Sequence, residues 1–402
     1  MKRKSIYIIS ATYPFGKGEE FVRKELIELS KHYDEIFLFP LKGSGEQRSI
    51  PQNVKLNLSL LKTSRFVPKK NFFLQAYLLF RISLLEVIKS DKRIYFLSHF
   101  RTHANSILQA KILSEVFIKE IKKLDSTTIF YSVWMDDGAL LLSILHFEKK
   151  VKKITFRLHG YDLFDERRPG NYMPFRCFNF KQAFKIFILS KAGYDYLKTK
   201  NLYSKKLLVN YSGLYDYGIN TLTASAKFTI VSCSNVIQIK RIDKIIESLM
   251  LLDFPVKWVH FGDGEKMGEI KKMASLLPTT IEYELKGYVK NESIIAYYQK
   301  ESVNLFLHLS DTEGLGMAIV EAQSFGIPAI ATNVGGVKEV VHNQTGVLIS
   351  ATDSPESVAQ EIKRFKTSDM NTIDFRDNVK MQWKGKFDAE KNYKYFYEKL
   401  ME

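Results

Sequence analysis

The chain has 402 residues, of which 45% are hydrophobic and 13% aromatic, so it is too apolar to be intrinsically disordered. Its length predicts two or three domains, and two cysteines, Cys177 and Cys233, exclude a disulfide scaffold or a four-cysteine zinc site and favour a reducing compartment. The first residues form a short apolar run without a small-residue cleavage site, which predicts a strand and not a signal peptide. No uninterrupted apolar run approaches about 18 residues, so a membrane-spanning helix is excluded.

The formal charge of +16 is distributed unevenly along the chain. Residues 1–220 hold 38 Lys and Arg against 20 Asp and Glu, a balance of +18, whereas residues 221–402 hold 22 against 24, a balance of −2. Such an excess suits nucleic acid, an anionic membrane surface or an acidic substrate. A lysine-rich genome is the fourth explanation, but it would load both halves alike.

The first half predicts the start of a doubly wound parallel sheet. A strand at Ser5–Ser10 is followed by a glycine-bearing turn at Tyr13–Gly18, a helix at Glu20–His32 and a second strand at Glu35–Pro40. Further short apolar runs predict buried strands at Arg93–Ser98, Thr128–Ser132, Ile154–Leu158, Ile186–Leu189 and Lys206–Asn210.

The second half restarts the same alternation after a small, polar linker near residues 213–226. Strands are predicted at Phe228–Cys233, Trp258–Gly262, Ile281–Lys286, Val303–Leu309, Ala329–Ala331 and Gly346–Ile349, with helices between them. We therefore expect an α/β protein with two successive lobes facing a cleft: residues 1–220, residues 221–384, and a terminal helix at 385–402.

The densest group of motifs lies between Ser310 and Gly346. A loop carrying Glu313-Gly314-Leu315-Gly316 follows a strand and precedes a helix that is predicted from Met317 to Phe325. Glycines at a helix start let backbone N–H groups approach an anion, which the helix dipole also favours. Glu313 and Glu321 lie about two turns apart, and each carboxylate can accept two hydrogen bonds from a sugar or ribose diol. On spacing alone, a plain strand–helix unit with two solvated glutamates is equally compatible with this pattern.

The sequence of this segment resembles that of retaining family 4 glycosyltransferases, which have the GT-B fold. The resemblance rests on EGLGMAIVEA, GIPAIAT, GG, EVV and TGVLI, and upstream on Gly262-Asp263-Gly264, on residues 285–289 and on residues 232–249. It covers most of residues 228–365. The first half matches more loosely, through residues 13–19 and Arg157-Leu158-His159-Gly160-Tyr161-Asp162.

The resemblance implies roles for individual residues. Glu313 would lie against the transferred sugar, and Glu321 would hold the ribose hydroxyls. Lys240 would neutralise the diphosphate leaving group. Backbone groups near Val289 would bind the base. The remaining implied contacts to the donor are the backbone of Gly314, Leu315 and Gly316, the loop that contains Gly16 and Gly18, and His159, which would reach the donor sugar or the reacting centre.

One departure from the family pattern concerns the phosphate site. The family usually has an arginine five residues before the lysine, where this chain has Asn235, which can donate a hydrogen bond to phosphate but carries no charge. Arg241 compensates if it points into the cleft; otherwise it is a surface helix residue.

Basic and aromatic residues are interleaved between Leu61 and Phe130, where 13 Lys and Arg accompany 5 Asp and Glu. This composition suits an anionic membrane surface and a lipid-diphosphate acceptor. Single-strand nucleic-acid binders share the interleaving, but no RNA-binding signature accompanies it, so we expect no nucleic-acid partner. A solvated face over an apolar core remains an alternative.

These observations lead to one functional expectation. We expect a hexosyltransferase-type enzyme that moves a sugar from a UDP- or GDP-linked donor to a glycan or lipid-linked glycan in polysaccharide biosynthesis. The nucleotide sugar is a substrate, and we expect no cofactor and no metal, since Asp136-Asp137 only superficially resembles an Asp-x-Asp motif. The enzyme would be cytoplasmic and peripheral on the inner face of the plasma membrane. The alternatives are an inactive GT-B scaffold and a sugar-nucleotide epimerase or hydrolase of similar fold.

Overall fold

A computed structural model describes residues 4–16, 19–63, 72–90, 92–122, 124–125, 127–200, 204–223 and 227–402, and only the backbone of residues 72–74 and 204. The chain divides into two compact units. Unit 1 comprises Met1–Ser212 with Asn392–Glu402, and unit 2 comprises Gly213–Lys391.

Unit 1 is built on a parallel sheet of seven strands in the order β3-β2-β1-β4-β5-β6-β7. Alternate residues of β1 enter different apolar clusters, Ile6 and Ile8 on one face and Tyr7 and Ile9 on the other, so both faces are covered. The strands are β1 Ser5–Ser10, β2 Glu35–Pro40, β3 Val54–Leu56, β4 Ile129–Ser132, β5 Lys153–Leu158, β6 Lys185–Ile188 and β7 Leu207–Val209.

The helices of unit 1 connect these strands, with three of them between β3 and β4. They are α1 Glu20–Ser30, α2 Phe72–Lys89, α3 Arg93–Ser98, α4 Phe100–Lys119, α5 Asp137–Phe147, α6 Gly160–Leu163, α7 Arg176–Gln182 and α8 Lys191–Thr199. Leu78, Ile82, Phe96 and Ile107 hold α2, α3 and α4 in one apolar cluster with α5 and α7.

The predicted strand at Arg93–Ser98 is wrong, because this segment is helix α3. A buried strand needs apolar side chains covered on both faces, but here only Phe96 is buried, while Ile94 is 79% exposed and Leu97 54% exposed. A six-residue apolar run does not distinguish a strand from a short helix by periodicity alone. The edge strand β3, at Val54–Leu56, was not predicted.

Unit 2 repeats the arrangement with six parallel strands in the order β10-β9-β8-β11-β12-β13. The predicted α/β architecture of two Rossmann-like, doubly wound units is confirmed. The strands are β8 Phe228–Cys233, β9 Val256–Phe261, β10 Ile281–Leu285, β11 Leu305–His308, β12 Ala329–Thr332 and β13 Gly346–Ile349. The helices are α9 Ile242–Leu249, α10 Met267–Ala274, α11 Asn291–Lys300, α12 Met317–Gln323, α13 Pro355–Lys366 and α14 Ile373–Phe387.

The last helix, α15 at Ala389–Met401, ends in unit 1. The Phe396 ring contacts Tyr131 and Phe187, with centroids 5.4 and 4.6 Å away, and Tyr397 stacks on His32 at 4.2 Å. Within the described residues, no helix combines the length and the apolar character that crossing a bilayer requires.

The strand orders create the same feature in both units. In unit 1, β1 lies between β2 and β4, and in unit 2, β8 lies between β9 and β11. The chain therefore leaves β1 toward one edge of the sheet and β4 toward the other, and the same holds for β8 and β11. Open α/β sheets bind ligands at the carboxyl ends of such neighbouring strands. The loops after β1, β4, β8 and β11 are therefore expected to carry the ligand-binding and catalytic side chains.

Candidate active-site residues in the two units

Glu313 occupies the loop after β11 in unit 2 and is only 8% exposed. Its Oε1 accepts hydrogen bonds from His308 Nε2 at 2.8 Å and Ser310 Oγ at 3.1 Å, and it forms an ion pair with Lys240 Nζ. Since a carboxylate only accepts, the His308 Nε2 atom carries the proton. Ser310 Oγ also lies 2.9 Å from His308 Nε2, so these side chains form one network.

This network keeps a buried carboxyl group ionised. Burial alone would raise the pKa of Glu313, but the His308 hydrogen bond and the Lys240 charge outweigh it and hold the pKa well below its usual range. Unit 2 therefore presents a fixed anion whose partner is a cation on a long, flexible stem.

The glycine loop around Glu313 is held by a second loop after β12. The backbone of Gly335 has φ +52° and lies so close to Glu313 that a Cβ at Gly335 would come 1.8 Å from the Glu313 carbonyl oxygen. Gly336 N–H donates to the Gly314 carbonyl at 3.2 Å. Leu315 is buried, and Gly316, with φ +87°, precedes α12. The position of Glu313 is thus set by backbone packing that only glycine permits at residue 335.

Glu321 lies on α12, one helix turn beyond the buried Gly-rich loop, and is 8% exposed. Its Oε1 accepts a hydrogen bond from Asn291 Nδ2 at 2.6 Å, which orients the carboxylate. Burial and the Glu321 charge raise the pKa of the nearby Cys233 thiol to about 12, so that thiol is protonated and unreactive at neutral pH.

The remaining predicted residues of unit 2 differ in their surroundings. Asn235 is exposed and follows β8. Arg241 has φ +50°, and its guanidinium contacts Asp243 at 3.2 Å and Asp311 at 3.4 Å. Val289 is half-buried, and the segment before it is tied to the end of β9, since Gly262 N–H donates to the Gly287 carbonyl at 2.9 Å.

In unit 1, Glu19 organises the glycine-bearing loop after β1. Its Oε2 accepts hydrogen bonds from the backbone N–H groups of Thr12 and Tyr13, both at 2.6 Å. Its Oε1 accepts from Ala11 N–H at 3.1 Å and from Trp134 Nε1 at 2.6 Å. One carboxylate thus joins the loop after β1 to the loop after β4. Gly16 has φ +68° with open space beside it, and Gly18 lies outside the described residues.

His159 follows β5 and is 7% exposed. Its ring packs against Trp134 and Phe21, with centroids 4.2 and 4.5 Å away, and neither ring nitrogen has a hydrogen-bond partner within the described part of the chain. Burial and the Arg157 charge hold the pKa of His159 well below its usual range, so the imidazole is neutral. It can donate or accept a hydrogen bond without carrying charge.

Asp162 fixes the backbone beside His159. Its two carboxyl oxygens accept hydrogen bonds from His159 N–H at 2.5 Å and Met135 N–H at 2.7 Å. Burial raises the pKa of Asp162 to about 7, although these backbone bonds oppose the shift. In the next loop, Asp136 caps α5 by accepting from Gly138 N–H at 3.0 Å, and burial and Asp137 raise its pKa.

The structure therefore brings Lys240 and Glu313 into direct contact and leaves Asn235 apart from that contact. The sequence did not predict four supporting contacts. They are those of His308 and Ser310 with Glu313, of Asn291 with Glu321, and of Glu19 with the loops after β1 and β4. The sequence position of His308 and Ser310 could have indicated a functional role, because they lie at the carboxyl end of a parallel strand just before Glu313. Nothing in the local sequence of Asn291 pointed to Glu321, 30 residues away.

Comparison with known proteins gives a family for part of the chain. Residues 220–382 match the family model described as "Glycosyl transferases group 1". The N-acetyl-alpha-D-glucosaminyl L-malate synthase of Bacillus anthracis is 26% identical over 159 residues, which are 39% of this chain and 40% of that protein. The chain thus matches about 40% of the length of this curated relative.

Solved structures are similar over nearly the whole chain. The Anabaena HepE protein, crystallised in complex with UDP, has a TM-score of 0.68 at 15% identity and covers 99% of both chains. A lipopolysaccharide outer core galactosyltransferase, WaaB, has a TM-score of 0.65 at 14% identity over 98% of both chains. At this identity the likeness shows the fold alone. Residues 220–382 therefore match the glycosyl transferases group 1 family, within a chain that has the GT-B fold.

Proposed function

We propose that this chain is a retaining glycosyltransferase of family 4 that uses a nucleotide diphosphate sugar. The observation that carries the proposal is the network on Glu313, where Lys240, His308 and Ser310 converge on one carboxylate oxygen. It lies at the sheet's topological switch point, inside the segment that matches the glycosyl transferases group 1 family.

Each unit 2 residue then has a chemical role. Glu313 accepts hydrogen bonds from the transferred sugar, and Glu321, oriented by Asn291, accepts them from the ribose diol. Backbone N–H groups of Gly314, Leu315 and Gly316 meet the phosphates or the sugar. Backbone groups near Val289 contact a uracil or guanine base, and Asn235 and Arg241 are further donors toward phosphate.

Lys240 supplies the charge that the leaving group needs. Its ammonium pairs with Glu313, and a diphosphate, with more negative charge, competes for it. His308 and Ser310 remain on Glu313 when Lys240 turns away, so the carboxylate keeps its position. A cation and backbone dipoles placed at the departing diphosphate stabilise the transition state without a bound metal.

For the reaction itself we propose departure and attack on the same face of the sugar. The sugar gains oxocarbenium character as the C–O bond to the diphosphate breaks, and the acceptor hydroxyl attacks that carbon while its proton passes to the leaving phosphate oxygen. The configuration at the anomeric carbon is retained. In unit 1 we assign the neutral His159, and the loop that includes Gly16 and Gly18, to the donor. No cofactor takes part.

We propose a glycan or lipid-linked glycan as acceptor, in cell-surface polysaccharide synthesis. The likeness in fold to a lipopolysaccharide galactosyltransferase is compatible with this class, and the +18 balance of residues 1–220 suits a lipid diphosphate at an anionic membrane. The enzyme would then work in the cytoplasm, peripheral on the inner face of the plasma membrane.

A donor panel tests the proposal. The midpoint temperature of thermal unfolding, measured with UDP, GDP, ADP and their sugars, should rise with one of these nucleotides, because a ligand that binds only the native state stabilises it. Release of nucleoside diphosphate from the matching sugar should persist in EDTA. Lys240→Ala should lower that release about a hundredfold. Lys257→Ala is the matched control, since Lys257 pairs with Glu284 at 2.8 Å elsewhere in unit 2. Loss of turnover in EDTA, or equal turnover of both variants, would overturn the assignment.

A further inference from the structure

Unit 1 carries an unusual concentration of exposed apolar side chains on α2 and α3. Of the eighteen large apolar residues that are more than a third exposed in the described part of the chain, seven lie between residues 77 and 100. Soluble proteins rarely expose contiguous apolar surface without a partner for it.

On α2 these residues form a single line, which we call the α2 stripe: Tyr77, Phe80, Leu84 and Ile88, exposed by 52, 60, 38 and 64%. The spacings of three and four residues place them on one face of the helix, over roughly 16 Å. The other face is anchored in unit 1. Leu78 and Ile82 are buried, and Glu86 accepts hydrogen bonds from Tyr172 OH at 2.9 Å and Phe178 N–H at 3.1 Å.

Helix α3 and the residue two positions after it add three more exposed apolar side chains. Ile94, Leu97 and Phe100, at and just after α3, are exposed by 79, 54 and 41%. Phe96, on the opposite side of α3, is buried in the same cluster as Leu78 and Ile82 of α2. Both helices thus turn their inner faces to one core and their apolar outer residues away from it.

The exposed charges of the described residues between 77 and 101 have one sign. Five basic side chains on α2, α3 and their flanks are exposed, and none of them forms an ion pair with another described residue: Arg81, Lys89, Lys92, Arg93 and Arg101. The acidic residues of the same stretch are Glu86, which is fully buried, and Asp91, which lies outside the described residues. Exposed apolar residues bordered by unpaired cations complement an anionic lipid surface, where the cations meet headgroups and the apolar side chains enter the acyl boundary.

We infer that the α2 stripe, with Ile94, Leu97 and Phe100, is the surface that docks this protein on an anionic bilayer. The protein lies on the membrane through the side of α2 rather than through an inserted span. The inference rests on the membrane location proposed above, but not on the transfer reaction. A second copy of the chain is the competing occupant, yet two such surfaces would bring ten like charges together, which disfavours that pairing.

Vesicle flotation tests the docking surface with the full chain. We expect the protein to float with vesicles in which a third of the lipid is phosphatidylglycerol, to be released by high salt, and to stay behind with pure phosphatidylcholine. Phe80→Ser/Leu84→Ser should weaken vesicle binding about tenfold or more. The matched control is Leu276→Ser/Ile373→Ser, which changes two residues of unit 2 that are at least as exposed as Phe80 and Leu84, by 74 and 60%.

The charge contribution has its own pair of variants. Arg81→Glu/Arg93→Glu should weaken binding at low salt about tenfold or more, whereas Lys271→Glu/Lys272→Glu, the same charge change on exposed residues of unit 2, should not. Phe80→Trp gives a readout that does not depend on lost binding, since its emission should shift to the blue with anionic vesicles only.

Equal flotation of the stripe and control variants, or binding to both vesicle types alike, would overturn the inference. So would a wild-type dimer that the stripe substitutions convert to a monomer without any vesicle binding. Unchanged thermal unfolding of each variant excludes misfolding as the cause. Vesicle binding without turnover of any donor would refute the proposed transfer reaction and leave the docking surface standing. Turnover without vesicle binding would refute the docking surface and the membrane location, and leave the transfer reaction standing.

Discussion

Glu313 in unit 2 and Glu86 in unit 1 are two buried glutamates with opposite acid–base behaviour. Glu313 is 8% exposed and Glu86 is fully buried. The His308 hydrogen bond and the Lys240 charge hold the pKa of Glu313 well below its usual range, against the effect of burial. For Glu86, burial dominates and raises the pKa to about 7, because the hydrogen bonds from the neutral Phe178 N–H and Tyr172 hydroxyl and the Arg176 charge oppose burial only in part.

The difference shows that the partner's charge, and not burial, determines what each carboxyl group can do. Glu86 joins α2 to α7, and its burial favours the protonated form, as is typical of a structural hydrogen-bonding group. Glu313 is kept ionised beside a flexible cation, an arrangement that costs desolvation energy and serves binding or catalysis better than stability. Two glutamates with similar burial therefore receive different assignments, and each assignment can be tested by the same substitution.

The largest expected effect separates them by activity. Glu313→Gln should lower sugar transfer about a thousandfold, since it removes the charge that pairs with Lys240 and that we propose to face the sugar. Glu86→Gln should leave transfer from a soluble donor to a soluble acceptor within about threefold of wild type. Steady-state release of nucleoside diphosphate measures both.

An equal loss of activity in the two variants, at unchanged folded fraction, would remove the distinction between them. A fully active Glu313→Gln variant would show that the anionic form of this residue is not needed.

A smaller effect is expected from the residues that hold Glu313 in place. His308→Ala should lower kcat about tenfold to a hundredfold with little change in KM, because the carboxylate loses its 2.8 Å donor and shifts within the loop. His308→Gln, which keeps an N–H donor, should recover part of the loss. His342→Ala serves as the control, since His342 lies in the turn before β13 and its Nδ1 accepts a hydrogen bond from Gln344 N–H at 3.4 Å. A rise in KM with unchanged kcat would instead make His308 a binding residue.

The comparison also predicts opposite pH dependences of stability. The folded pKa of Glu86 lies above its unfolded value of about 4.5, so its contribution is complete below pH 4.5 and is lost as the pH rises through about 7. Glu86→Gln should therefore gain about 2.5 kcal/mol relative to wild type between pH 5 and pH 8. Urea unfolding at both pH values measures this gain.

Glu313 has the opposite sign. Its folded pKa is depressed, so its contribution is present above the unfolded pKa and is lost as the pH falls through the folded value. Glu313→Gln should therefore show its destabilisation at pH 7 and less of it in strong acid. Parallel pH profiles of wild type and Glu86→Gln would contradict the raised pKa that the comparison assumes.

Most of the fold could be predicted from the sequence because parallel strands buried on both faces leave uniform apolar runs. Ser5–Ser10, Glu35–Pro40, Phe228–Cys233 and Gly346–Ile349 were predicted with the bounds that the structure has. The run at Arg93–Ser98 has the same composition but packs only Phe96 inward, and its pairing with α2 is a tertiary contact that no local pattern reveals. The short edge strand β3 has too few residues to carry a pattern.

The candidate site was predictable where one segment carries the chemistry. The loop and helix from Glu313 to Glu321 place their own carboxylates by local geometry. The donors that orient those carboxylates come from other elements: Asn291 from α11, and Lys240 from the loop after β8, known beforehand only through the family resemblance. In unit 1, Glu19 and Trp134 meet across 115 residues, a contact that depends on sheet order.

The smallest expected effect concerns Asn235 and Arg241, the other two residues that we propose as donors toward phosphate. Asn235 is exposed and uncharged, whereas Arg241 is occupied by Asp243 and Asp311. Asn235→Arg should tighten binding of the nucleoside diphosphate about threefold by adding a cation to the loop after β8, and Asn235→Gln, which adds length without charge, should not. Arg241→Ala should weaken that binding less than about threefold, because a guanidinium already paired with two carboxylates has little to give a phosphate. Calorimetric titration of the diphosphate measures all three. A tenfold loss in Arg241→Ala would show that the guanidinium leaves its aspartates when the ligand arrives, and the positive charge that the family places at residue 235 would then come from residue 241 instead.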